Sequence, residues 1–181
     1  MNHVSNIIFH YLSATDSEYR EGMDWYAEKN ALALELSPND VWRAAGVMSA
    51  YSPLMPWPRN RQLAIESLKS GIANPSALPL SVKNAQLILD GAHPLEVLKG
   101  DKTRAFCAAI ADPEGSTIAT IDRHAYNIAM GTMEGNPSIG KRVYRTLSAA
   151  YCDAAELAGI SVAQMQAVTW VSFRRFKGVK V

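Results

Sequence analysis

Cysteine is scarce: the chain has two, Cys107 and Cys152, far apart in sequence. That excludes a four-cysteine iron–sulfur or zinc site and fits buried thiols in a reducing cytoplasm, the location the composition implies. Long apolar runs are missing too. No stretch approaches the roughly 20 residues of a membrane span, and Met1-Asn2-His3-Val4 does not begin a signal peptide. Strand-like sequence is confined to "TIATI", Thr117 to Ile121, and one short strand cannot form a sheet. Net charge is only +1, which argues against a strong nonspecific binder of nucleic acid. The charge is nevertheless uneven. Residues 1–58 carry three Lys/Arg against seven Asp/Glu, whereas residues 123–181 carry eight against three. A basic final third suits phosphates, and it equally suits an ordinary solvated face.

What is present is helix punctuation. With 48% apolar and 19% charged residues, the 181-residue chain is neither disordered nor short of core. Thr15-Asp16-Ser17-Glu18 is a capping-box pattern opening a helix to about Leu36. Ser37-Pro38-Asn39-Asp40 reads as a serine cap with proline in the first turn of the next helix, which must stop by "YSPLMPWP". Further helices are expected over about Arg59–Ser70 and Lys83–Asp90, with "NPSALPLS" as a linker between them. Pro94–Leu98 makes a short turn of helix, and Asp101 can cap the helix that follows. Asp122 opens another, ended by Gly131. After the loop "EGNPSIG", helices span about Lys141–Ala158 and, from a second capping box at Ser161–Gln164, to about Phe176. Eight or nine helices without a repeat predict an all-α fold with two helical lobes and a cleft between them.

Four segments carry candidate chemistry. In "LKGDKTRAFCAAI" a tight turn at Gly100 joins two helices, and the turn's amides with the second helix's N-terminus suit a phosphate. Lys102 stands in that first turn, where the helix dipole disfavours a cation, so capping does not explain it; a solvated surface lysine does. In "ATIDRHAYNIAMG", Asp122, Arg123 and His124 stand side by side. Asp122 is either a plain N-cap or a reactive carboxylate facing Lys102 across the cleft. His124 either satisfies a local hydrogen bond or supports that carboxylate, and Arg123 either holds a phosphate or faces water. In "SAYSPLMPWPRN" three prolines stiffen a loop bearing Tyr51, Ser52, Met55 and Trp57, followed by Arg59 and Arg61. Such a loop can stack beside a base, with arginines on the backbone, or can simply connect two helices. The last segment, "AVTWVSFRRFKGVK", reads as packing by Trp170, Phe173 and Phe176, with Arg174, Arg175 and Lys177 complementing a helix C-terminus.

Taken in order, these segments resemble the helix-hairpin-helix DNA glycosylase superfamily. "GVMSAYSPLMPWPRNRQLA" is similar to its early helix and the loop that approaches DNA. "LEVLKGDKTRAFCAAI" is similar to the hairpin, with Gly100-Asp101-Lys102-Thr103 matching glycine-x-lysine-threonine. "ATIDRHAYNIAMG" is similar to the segment bearing an aspartate and a histidine before the helix under the active site. Leu98 stands where the family's hairpin usually has its first glycine, and Arg123 where it has a small polar residue. The resemblance implies a single glycosylase-like helical domain over 1–181, without a cluster domain or other cofactor or metal. It implies DNA as partner and cleavage of the N-glycosidic bond of a flipped base. Asp122 would support the developing positive charge on the sugar, and Lys102 would attack the anomeric carbon to give a Schiff base, often with strand cleavage. His124 would assist, while Gly100, Thr103, Tyr51, Ser52, Trp57, Arg59 and Arg123 would contact DNA. The chain also resembles compact phage-encoded proteins with this pattern, which implies host cytoplasm and, as an alternative, base modification in thymine hypermodification. A catalytically inactive module that binds DNA or a protein is the remaining alternative.

Overall fold

The computed structural model describes residues 2–135 and 138–178. Every regular element among them is helical: α1 (His3–Leu12), α2 (Asp16–Leu36), α3 (Val41–Tyr51), α4 (Trp57–Ser70), α5 (Pro79–Leu89), α6 (Pro94–Val97), α7 (Asp101–Ala111), α8 (Arg123–Met130), α9 (Lys141–Ala158) and α10 (Val162–Phe176). The all-α expectation therefore holds. None of these helices is long and apolar enough to cross a membrane.

Both capping boxes form. Thr15 N donates to Glu18 Oε2 at 2.8 Å and Glu18 N to Thr15 Oγ1 at 3.4 Å; Ser161 and Gln164 exchange the same pair at 3.0 and 3.2 Å. Three boundaries differ from the sequence reading, each for a local reason. α3 starts at Val41 because Asp40, not Ser37, caps it, its Oδ1 accepting from Arg43 N at 3.0 Å. α4 and α5 start earlier than expected, at Trp57 and Pro79, since a proline in the first turn has no amide to lose and a backbone already set for helix. α1 has no counterpart in the sequence reading; Asn2 caps it and Ile7 is its fully buried residue. Part of the expected loop "EGNPSIG" and the end of the basic C-terminal segment lie outside the described residues.

The chain divides into two compact units, Met1–Glu28 with Asp112–Val181, and Lys29–Ala111. In the first, α1 packs on α8, α9 and α10, around the buried Ile7, Ile121, Ile128, Leu147, Tyr151 and Phe173. Early α2 approaches α10 so closely that a Cβ on Gly22 would lie 2.4 Å from Val168 Cα. In the second, α3 is central, buried from Ala44 through Tyr51 and packed on α4, α5, α6 and α7. Gly46 lets Pro94 against it, where a Cβ would meet the proline ring at 2.5 Å.

Candidate functional site

In the first unit, the site begins with a question of backbone satisfaction. Residues 117–121 have no regular structure and are buried in part, and no neighbouring strand exists among the described residues to take their hydrogen bonds. One face of α9 does so instead, at helical spacing. Cys152 Sγ reaches Thr117 O at 3.2 Å, Ser148 Oγ accepts from Ala119 N at 3.0 Å, and Tyr144 Oη donates to Ala119 O at 2.8 Å while accepting from Ile121 N at 3.2 Å. The apolar "TIATI" run is thus a strap laced to a helix, not a strand, and it ends at Asp122.

Asp122 caps α8: its Oδ1 accepts from Ala125 N at 2.8 Å, with the residue itself extended at φ −97° and ψ −175°. Capping occupies one oxygen, and no hydrogen bond reaches Oδ2 among the described residues. The carboxylate is half-buried. Beneath it lie two fully buried phenols. Tyr26 donates to Gln166 Oε1 at 2.9 Å beside Thr120 Oγ1 at 3.2 Å, and Tyr151 donates to Ala125 O at 3.3 Å. Burial, reinforced by the negative charge of Asp122, pushes both phenols well above the usual tyrosine range, so they remain neutral donors.

His124 packs its ring against Trp170, centroids 6.4 Å apart, and Phe173 at 5.8 Å. Its Nδ1 is buried without a hydrogen-bond partner. Burial lowers its pKa; Asp122 opposes this, and Arg123, Lys177 and Arg174 add to it. The imidazole next to Asp122 is therefore neutral at physiological pH. Arg123 is exposed. Asp122, Arg123 and His124 thus stand at the start of α8, with a carboxylate that caps the helix through Oδ1 and can stabilise positive charge.

The second unit holds the remaining expected residues. Tyr51 requires a correction. It is 0% exposed, its hydroxyl bonded to Ser67 Oγ at 2.8 Å and accepting from Asn74 N at 2.8 Å, so it belongs to the core and does not reach a base. Ser52 is half-buried and its hydroxyl donates to Ser49 O at 2.9 Å at the end of α3. Trp57 is half-buried with the Lys29 ammonium 5.2 Å from its ring centroid, and Arg59 donates to Gln62 Oε1 at 2.7 Å. Gly100 and Lys102 are exposed; Thr103 is half-buried and donates its hydroxyl to Gly100 O at 2.9 Å. The hairpin's other carbonyls are taken by cations: Lys99 Nζ on Glu96 O at 2.6 Å, and Arg104 on Leu95 O and Leu98 O.

One residue of the proline loop escaped the sequence reading. Met55 N donates to Ser52 O at 3.3 Å, closing a turn with Pro53 second and Leu54 third. Leu54 stands at φ +57°, where such a turn ordinarily has glycine or asparagine, and it is 94% exposed. A large apolar side chain that is both strained and unpacked gains nothing from the fold. Only the mismatch of leucine with the third turn position could have flagged it.

No cluster of His, Cys, Asp or Glu among the described residues could hold a metal ion. No curated protein and no solved structure matches the chain. A family model matches residues 1–177, and on that match the chain belongs to the family of unknown function DUF7178.

Proposed function

We propose that this protein acts on DNA, taking a base out of the stack and cleaving its N-glycosidic bond, on a helix-hairpin-helix glycosylase-like fold. The observation that carries the reading is the mounting of Asp122. A chain segment tied at Thr117, Ala119 and Ile121 to side chains of α9 delivers a carboxylate with one oxygen uncommitted. Breaking the bond between C1′ and the base sends its electron pair out with the base and leaves an oxocarbenium-like sugar. A preorganised carboxylate stabilises that charge without reorganising. Asp122 does this, and the attacking group is water or the Lys102 amine; attack by the amine forms a new C1′–N bond as the base leaves and leads to a Schiff base. Leu54 on its stiff turn supports the flipping step, since an apolar wedge beside a base step favours unstacking.

The test is incubation with duplexes carrying mismatched, damaged and 5-substituted bases, followed by alkali. Strand breaks at one of these bases are expected; intact strands throughout would remove excision from the account. Borohydride trapping reads Lys102 separately: a covalent adduct is expected in the wild type and not in Lys102→Ala.

A further inference from the structure

The final turn of α10, which reads in sequence as a helix end dressed with cations, lies against the Asp122 segment. His124 and the cations share the same two rings. Arg174 Cζ sits 4.5 Å from the centroid of Trp170, and Lys177 Nζ 5.6 Å from that of Phe173, the rings on which His124 packs. Arg123 adds a third cation from the first residue of α8. Its position there is the informative one, because a helix N-terminus disfavours positive charge and nothing within α8 calls for it. Arg175, between the other two in sequence, turns elsewhere: it is bonded to Glu18 at 3.0 Å and donates to Ser13 O at 2.8 Å.

We infer that Arg123, Arg174 and Lys177 form a shelf for the phosphodiester backbone of a nucleic-acid strand, beside the Asp122 carboxylate. A guanidinium lying on an indole is flat and held in place, which suits a fork of donors to phosphate oxygens. The aromatic rings beneath fix the cations, so less side-chain freedom is lost on binding. The charges that act on His124 are Asp122 on one side and Arg123, Lys177 and Arg174 on the other, a local excess of positive charge in a chain whose overall charge is only +1. The shelf rests on the reading of DNA as partner, and not on the excision chemistry.

Three cations on one short stretch permit an internally controlled test. Arg174→Gln, Lys177→Gln and Arg175→Gln remove the same charge, and only the first two touch the shelf. Binding of a fluorescein-labelled DNA oligonucleotide, single-stranded and duplex, is measured by anisotropy across a salt series. Arg174→Gln and Lys177→Gln each weaken binding several-fold and lower the salt slope by about one, while Arg175→Gln stays within twofold of wild type. Equal effects in all three variants would mean that only net charge matters, and no effect in any would mean that DNA does not use this face; either overturns the shelf. Arg123→Glu guards against misfolding as an explanation. It places the favoured charge at the start of α8, so its melting temperature is unchanged or higher, yet it binds at least several-fold more weakly. Vesicles containing anionic lipid are run in parallel, and loss of vesicle binding with DNA binding intact would also refute the proposal. Should no substrate release a base while these binding differences appear, the shelf stands and the excision reading falls. Base release without these binding differences would leave excision standing and remove the shelf.

Discussion

Leu54→Gly separates the two things that Leu54 does. At φ +57° a leucine carries a backbone penalty of about 1–2 kcal/mol that glycine does not have. Glycine in turn loses more freedom on folding, by roughly 0.5–1 kcal/mol. Almost no buried contact is given up, because the side chain is 94% exposed. The balance is a variant as stable as wild type or more so, by up to about 1 kcal/mol. In a domain of this size that is a rise in Tm of about 4 °C at most. Binding to duplex DNA moves the other way. Burying part of one leucine against bases is worth about 1–2 kcal/mol, or roughly five- to thirtyfold in Kd. The assay is a thermal melt beside a fluorescence titration on the same preparation. A Tm falling by more than about 3 °C would mean that Leu54 packs in the fold after all. An unchanged Kd would mean that the exposed leucine does not serve DNA.

Three other outcomes follow from the same geometry. Tyr144→Phe strips the donor of Ala119 O and the acceptor of Ile121 N in a buried segment, so urea denaturation should show a loss of about 1–3 kcal/mol. Gly22→Ala gains helix propensity but drives a methyl into the Val168 backbone, and a net loss of roughly 2 kcal/mol is expected by the same method. His10 and His124 both pack on Phe173, at 5.2 and 5.8 Å, and burial holds both below the ordinary 6.5. The unfolded chain therefore takes up protons first. Stability is complete above about pH 6.5 and declines as pH falls from there toward the folded values. Melts between about pH 7.5 and 5.5 should slope downward in the wild type and be flatter in the His10→Phe, His124→Gln double variant.

Much of this was legible in the sequence because it is written in local rules. Capping boxes, prolines and glycines mark helix ends through the nearest few residues, and Thr15, Ser161 and Asp122 act where those rules place them. What could not be read depends on distant partners. Tyr51 has the aromatic character of a base-stacking residue, and only the packing of Ser67 and Asn74 around its hydroxyl reveals a core role. The 117–121 run has the composition of a strand, and its true partners are three side chains on a helix more than twenty residues away. The basic turn of α10 looked like dipole complementation because its proximity to Asp122 is a tertiary fact.

We propose that Asp122 does chemistry as well as capping, and one substitution divides the two. Asparagine caps a helix about as well as aspartate, so Asp122→Asn should melt within a few degrees of wild type. Base release from whichever duplex the wild type attacks should nonetheless fall by at least a hundredfold, consistent with losing a preorganised charge at the reacting centre. Release at the wild-type rate in Asp122→Asn would mean that Asp122 is a helix cap and nothing more.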